Sequence, residues 1–445
     1  MEANSHITYS GAARRSELIS QTPIVYTLRL SLEETSFSGS VLIAFDLKTP
    51  SSELWVDYSG SSISHLNVNG KDQLVTRHQS KLMLPKLPQG KVELRASFSS
   101  LYSTNGTGLH KFVDPCDNCV YIYSYMCPFY ANKVFPCFDQ PDLKGTFKIS
   151  VEAPSHFAVI SNEFLESKEN LPNYSVHHFK LTKPISTYIL GIVCGDFVGQ
   201  VNSEKQIGVF CRKSLSRYLQ YKDIVDWVEM GKEFFKNYFG VELAFSKHDQ
   251  VFCPEFNMGA MENAGCVTVN DSSIWKEEPV KSEKLWLCNT TLHELCHMWF
   301  GNLVTMKWWD DLWLNESFAT YFSYAAMNEE DSWITFLWYK CRGYSVDRLS
   351  STHPVHVEVP DTQLAMSNLD AITYSKGSAL LKQLVFSVGD SCFSSGMKEY
   401  FSKFAWKNVT MHDFVSVVQK NTQVELEDWI SSWVESEGLN SIIIV

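Results

Sequence analysis

The sequence has no apolar run approaching the roughly 18 residues that a transmembrane helix requires. Its closing Ile442, Ile443, Ile444, Val445 stretch is far too short, so membrane insertion is not expected. A basic excess is also missing. With 38 Lys and Arg against 50 Asp and Glu, the formal charge of −12 repels a phosphate backbone and gives no reason to expect nucleic acid as a partner. The opening segment MEANSHITYSGAARRSELIS has no apolar stretch after its charged residues. It does not read as a secretory signal, and the expected location is cytoplasmic. Internal repeats and low-complexity tracts are absent, which argues against a solenoid or a long linker.

Cysteine is not scarce. Twelve are scattered along the chain, several inside apolar runs where a reduced thiol packs well, so free thiols are expected rather than disulfides. Cys116 and Cys119 form a CxxC, but no second pair lies nearby to complete a zinc ribbon, and a loop is the better reading. Sequons at Asn105, Asn173, Asn270, Asn289, Asn315 and Asn408 are read as chance matches, since no export signal accompanies them. The 445 residues exceed one ordinary core and imply two or three domains. An apolar fraction of 44% with 20% charged residues is that of a folded globular chain, not a disordered one.

Short alternating runs such as VYTLRLSL (25–32) and SVLIAFDL (40–47), broken by Gly, Ser and Pro, predict strands and turns. The pattern persists to about residue 200, giving a β-rich domain over 1–200. Residues 215–239 turn helical, with Ile224, Val225, Trp227, Val228, Phe234 and Phe235 marking a buried face. A strand is expected at Gln250–Phe252, followed by the loop CPEFNMGAMENAG, helices over about 283–301 and 312–329, and further helices over about 374–437. The fold class expected is α+β and multidomain: a β-rich domain, a mostly helical domain over 201–438, and at 439–445 the start of something further.

The chemistry concentrates in the helical part. HELCH places His293 and His297 four residues apart, one turn apart on one helix face, where both imidazoles reach one ion. Between them Glu294 is placed to take a proton from a water that zinc has made acidic. A bare HExxH arises by chance, so the third ligand decides. Glu316, in NES, follows His297 after eighteen residues and starts the next helix, where antiparallel packing returns it to the metal. Two His and one Glu leave a coordination position open, as a catalytic zinc needs and a structural one does not. Asp310 and Asp311 are candidates to orient a ligand imidazole, and equally for a solvated acidic turn or helix cap. Trp299, Phe300, Trp308, Trp309 and Trp313 read as core that keeps water from the site.

These residues resemble the gluzincin aminopeptidases, the family of aminopeptidase N and puromycin-sensitive aminopeptidase. HELCHMWFGNLVTMKWWDDLWLNESFATYF (293–322) is similar to that family's zinc segment almost throughout, and PEFNMGAMENAG (254–265) carries its GAMEN signature. FVDP (112–115), FPCFDQPDLKGTF (135–147) and DAITYSKGSALL (370–381) extend the likeness over nearly the whole chain. The resemblance implies a β-rich saddle-like domain on a thermolysin-like catalytic domain. It implies one zinc ion per chain and removal of single residues from peptides with a free N-terminus. Glu262 would bind the substrate's α-ammonium. Gly259, Ala260, Met261 and Asn263 would line the peptide, and Tyr374 would stabilise the oxyanion.

Two departures stand out. Upstream of FPCFD the family commonly offers a Gln or Glu that shares the α-amine, whereas SYMCPFYANKVF places Tyr125 and Cys127 there, and neither brings the carboxylate or amide oxygen. Family members also continue into further domains beyond the point where this sequence stops. Two other readings fit the same residues: a peptide-binding module that has lost turnover, and a zinc hydrolase of different specificity, an endopeptidase or epoxide hydrolase. Oligomeric state is not readable.

Overall fold

The computed structural model describes residues 6–327 and 329–439. Its described residues build a β-rich N-terminal part followed by a helical part. The chain divides into two compact units: one holds residues up to Tyr221 together with Phe245–Glu278, the other Lys222–Ala244 together with residues from Pro279 on. The further start expected at 439–445 lies outside the described residues except for Leu439.

In the first unit, helix α1 (Tyr9–Leu18) precedes strands β1 (Ile24–Leu32), β2 (Ser36–Leu47), β3 (Gly90–Leu101), β4 (Val120–Tyr125) and β5 (Gly145–Pro154). The eight-stranded sheet runs Leu165–Asn170, Tyr174–Phe179, β5, β1, β2, β3, Ser62–Val68, Lys71–Asp72. Strand alternation sets one face of it: Tyr26, Leu28, Leu30 and Leu32 of β1 are buried, as are Phe147, Ile149 and Val151 of β5. β1 and β2 pair antiparallel after a short turn, but β1 and β5 pair parallel across more than a hundred residues, from Ile24 opposite Gly145. Strand β4 belongs to a separate four-stranded sheet.

The strands between residues 197 and 270 also belong to this first unit. β6 (Phe197–Asn202), β7 (Ile207–Arg212), β8 (Asp249–Cys253), β9 (Ala260–Met261) and β10 (Cys266–Asn270) form a five-stranded sheet in the order β6, β7, β8, β10, β9. The GAMEN segment therefore lies on an edge strand.

A buried ionic knot ties α1 to this unit. Arg15, with no exposed surface, donates to Asp57 Oδ2 at 2.6 Å and to Gln140 Oε1 at 2.6 Å. Asp57 also accepts from Trp55 Nε1 at 3.0 Å and from the Asp139 N–H at 3.0 Å. Removing one partner strands a buried charge, which costs about 3–5 kcal/mol. Asp57→Ala is expected to lower the unfolding free energy by that amount in urea denaturation. A loss below about 1 kcal/mol would show that the charge finds water instead.

The second unit is helical. α2 (Tyr221–Phe239) buries Ile224, Val225, Val228, Gly231, Phe235 and Phe239, while Trp227 and Phe234 from the expected face are only half-buried. Gly231 is where α2 meets α3 (Lys281–Cys296): a Cβ there would lie 2.6 Å from Leu292 and 2.7 Å from Leu295. α4 (Trp313–Met327) is buried nearly all round, and α5 (Glu330–Asp347), α6 (Gly377–Val388), α7 (Asp390–Phe404) and α8 (Met411–Lys420) are the longer helices that follow it. Trp299, Trp309 and Trp313 are fully buried core. Among the described residues no helix is long and apolar enough to cross a membrane.

Candidate metal centre

α3 ends at Cys296, and His297 is its C-cap. The helix stops there, not at the expected 301, because the chain reverses through Gly301, whose φ of +115° favours glycine. The two histidines thus occupy the last helical turn, with the His297 N–H still bonded to the His293 carbonyl at 3.2 Å. α4 packs beside α3, held partly by Asn289 Nδ2 donating to Ser323 Oγ at 2.8 Å. This puts Glu316, in the first turn of α4, against both rings.

Three candidate ligand atoms converge. His293 Nε2 and His297 Nε2 are 3.0 Å apart, and Glu316 Oε2 lies 3.5 Å from the first and 3.4 Å from the second. Ligands at about 2.0–2.1 Å from a tetrahedral ion are separated by about 3.3–3.4 Å, so the triangle has the size of one face of a zinc coordination tetrahedron. The donor set fits as well: two imidazoles and a carboxylate, all at least half-buried. Two ring nitrogens aimed at each other beside a buried carboxylate oxygen are poorly satisfied without a cation.

The outer ring nitrogen of His297 fixes its tautomer. His297 Nδ1 lies 3.0 Å from the Phe300 carbonyl, which only an N–H there can satisfy, leaving the Nε2 lone pair toward the cluster. His293 Nδ1 is 3.4 Å from Thr320 Oγ1, a turn beyond Glu316 on α4. Burial pushes the His293 pKa below its ordinary value, with Glu316 opposing it, so the neutral, metal-binding form is favoured. Burial raises the Glu316 pKa, but His297 and His293 outweigh this and hold the carboxyl ionised.

Glu294 is buried, and a carboxylate oxygen lies within 4.8 Å of a His297 ring nitrogen. Tyr374 stacks against His293, ring centroids 6.1 Å apart and planes 18° apart. It is half-buried in a run whose neighbours are all buried. The second unit thus brings together five sequence-predicted residues: His293, His297, Glu316, Glu294 and Tyr374.

Asp311 is not among the residues that meet the ligand imidazoles at Nδ1. It accepts from His356 Nδ1 at 3.0 Å and from the Met411 N–H at 3.0 Å, tying α8 to the turn before α4. The orienting partners are instead a backbone carbonyl and Thr320. Only Thr320 left a signal in the sequence, its four-residue spacing from Glu316 on one helix face.

The remaining predicted residues lie in the first unit. Ala260 and Met261 pair antiparallel with Val269 and Thr268, and the Asn270 N–H donates to the Gly259 carbonyl at 2.9 Å. Glu262 and Asn263 are buried, and Asn263 Nδ2 donates to Thr268 Oγ1 at 3.3 Å. Tyr125 and Cys127 are buried too, with the Tyr125 ring edge-on to Phe256 at 5.8 Å, on the loop that leads into Gly259.

Comparison with known proteins shows the family. A profile described as the Peptidase M1 N-terminal domain matches residues 22–189, and one described as the Peptidase family M1 domain matches residues 227–433. The chain is 36% identical to "Aminopeptidase N" of Streptomyces lividans over 98% of its own length and 52% of that protein's. The chain belongs to the M1 peptidase family. M1 peptidases are gluzincins, as the motif resemblance implied, and form a metallopeptidase family. Other M1 relatives include "Probable M1 family aminopeptidase 1" of Encephalitozoon cuniculi, 32% identical over 94% of this chain and 51% of the relative. "Glutamyl aminopeptidase" of Sus scrofa is 27% identical over 94% and 47%. The chain spans about half the length of the curated relatives it matches.

Proposed function

We propose that this chain carries the catalytic site of a zinc aminopeptidase, with His293, His297 and Glu316 holding the metal. The observation that carries the reading is the triangle of ligand atoms 3.0, 3.4 and 3.5 Å apart. When bound, a zinc ion in such a set acts as a Lewis acid and makes a water ligand acidic. Glu294, buried beside His297, takes the proton of the attacking water and returns it to the leaving amine. The Tyr374 hydroxyl donates a hydrogen bond to the oxyanion that develops on the scissile carbonyl.

The assignment of Glu262 rests on the GAMEN resemblance. Its carboxylate pairs with an α-ammonium, and a blocked terminus removes that pairing. The edge position of β9 supports Gly259, Ala260, Met261 and Asn263 as the segment along which an extended peptide lies, since an edge strand offers backbone groups to a further strand. Tyr125, near this segment through Phe256, and Cys127 stand where the family's amide or acid is expected, and selectivity for the side chain of the first residue is where they act.

Hydrolysis of free and N-acetylated aminoacyl reporters, with and without a zinc chelator, tests the reading. Cleavage of free-amine substrates alone, abolished by chelation, is expected. Turnover of acetylated peptides would make the site an endopeptidase, and no turnover by zinc-loaded, folded protein would make it a binding module. Glu262→Ala is expected to lower kcat/KM for free-amine substrates by about 10–100-fold, the equivalent of one charged hydrogen bond. Its preference over the acetylated reporter should narrow by the same factor. Unchanged discrimination would remove Glu262 from amine recognition.

A further inference from the structure

Tyr374 sits in a single π-helical turn, Ile372–Lys376, immediately before α6. Such a turn holds one residue more per hydrogen-bonded ring than an α-helix and is maintained by its surroundings. On the α4 side, Ser317 Oγ, adjacent to Glu316, donates to the Thr373 carbonyl at 2.6 Å. Gly377 approaches so closely that a Cβ there would lie 2.0 Å from Ser317 Oγ. On the α5 side, Lys376 pairs with the buried Asp347 at 3.1 Å.

The first turn is held by Asp370. Its Oδ1 accepts from the N–H groups of Ile372 at 2.9 Å and Thr373 at 3.2 Å, and its carbonyl accepts from the Tyr374 N–H at 3.0 Å. Its other oxygen, Oδ2, meets His353 Nε2 at 3.1 Å. His353 Nδ1 in turn lies 2.7 Å from the Pro354 carbonyl. Both ring nitrogens face acceptors, an arrangement satisfied in full only by the imidazolium, which carries two N–H groups. Neither residue is among the ligands, acids or bases assigned above.

We propose that His353 and Asp370 are positioning residues for Tyr374: the imidazolium fixes the carboxylate, and the carboxylate fixes the backbone turn that aims the phenol. This rests on the reading of Tyr374 as the oxyanion donor. The charged groups facing His353 are Asp370 and Lys376, and Lys376 is itself held by Asp347. The hydrogen bond to Asp370 lifts the His353 pKa above its ordinary value against the pull of burial. The clamp is therefore complete below the ordinary histidine pKa and is lost as pH rises through the raised one.

The test is a double-mutant cycle on the full chain with an aminoacyl reporter, reading kcat, KM and bound zinc for His353→Ala, His353→Gln, Tyr374→Phe and both combinations. Tyr374→Phe is expected to lower kcat on the order of 10²-fold. His353→Ala is expected to lower kcat about tenfold, the effect of a misaimed group, with KM within about twofold and zinc retained. In the Tyr374→Phe background it should cost nothing further. His353→Gln keeps one N–H toward Asp370 without a titrating charge, so it should restore most of kcat near neutral pH and flatten the alkaline decline.

An equal loss from His353→Ala with and without the Tyr374 hydroxyl overturns the proposal and leaves the reading of Tyr374 standing. No effect of Tyr374→Phe overturns that reading, and the proposal with it. If His353→Ala does not fold, the pH profile decides: an alkaline limb in His353→Gln identical to that of the unsubstituted chain overturns the clamp.

Discussion

Glu294→Gln is expected to lower kcat on the order of 10³-fold, within the range by which a positioned general acid–base accelerates proton transfer. The substitution keeps the size and one hydrogen-bonding oxygen of a buried side chain in the last turn of α3. It removes only the ability to accept a proton at neutral pH. Bound zinc should therefore stay at one equivalent, and KM should move little, because Glu294 is assigned to neither metal nor substrate amine. That split separates a proton carrier from a structural acid. A buried acid needed for packing would lose folding stability on substitution and spare turnover in the folded fraction. Activity within about tenfold of the unsubstituted chain, at full zinc content, would sink the assignment.

Much of this centre was legible because its signals are local. The four-residue spacing of His293 and His297 needs only helical geometry, and Glu316 needs only that the next helix return antiparallel. Strand alternation likewise marked β1 and β2, where hydrophobic residues on every second position face one core. What alternation does not carry is partnership. Nothing in VYTLRLSL says that its second neighbour is β5, more than a hundred residues on, rather than another nearby strand.

α3 ends before its apolar pattern does, for a physical reason. Met298, Trp299 and Phe300 are all buried, so the apolar pattern runs on past the helix end while the backbone already turns toward Gly301. That same turn delivers the Phe300 carbonyl to His297 Nδ1, a contact made by a backbone atom that no side-chain pattern announces. The acidic pair Asp310 and Asp311 drew attention as orienting groups because of their charge, yet Asp311 faces His356 and α8. The π-helical turn under Tyr374, and the clamp between His353 and Asp370, are tertiary arrangements of residues seventeen apart in sequence. Neither has a period to read.

Glu316→Gln is expected to weaken zinc binding more than 100-fold, exceeding the loss that follows when only a partner orienting a ligand is removed. The amide has the same shape and leaves α4 in place, but it is neutral and a far poorer metal ligand. The remaining donors would be His293 and His297 alone. Two readouts do not depend on turnover. Zinc retained through desalting should fall from one equivalent toward none. The stabilisation that zinc gives the unsubstituted chain, about 2.7 kcal/mol at a free concentration 100 times its Kd, should also vanish from the melting curve. The metal-free variant should not itself be destabilised by loss of the Glu316 charge alone. That carboxylate is held ionised by two imidazoles in a buried site where desolvation opposes the charge, so a neutral amide removes both the attraction and the penalty. A variant that kept one tightly bound equivalent and the full zinc-dependent rise in melting temperature would show that the third ligand lies elsewhere, and the triangle of Nε2, Nε2 and Oε2 would then be no more than a buried ion pair.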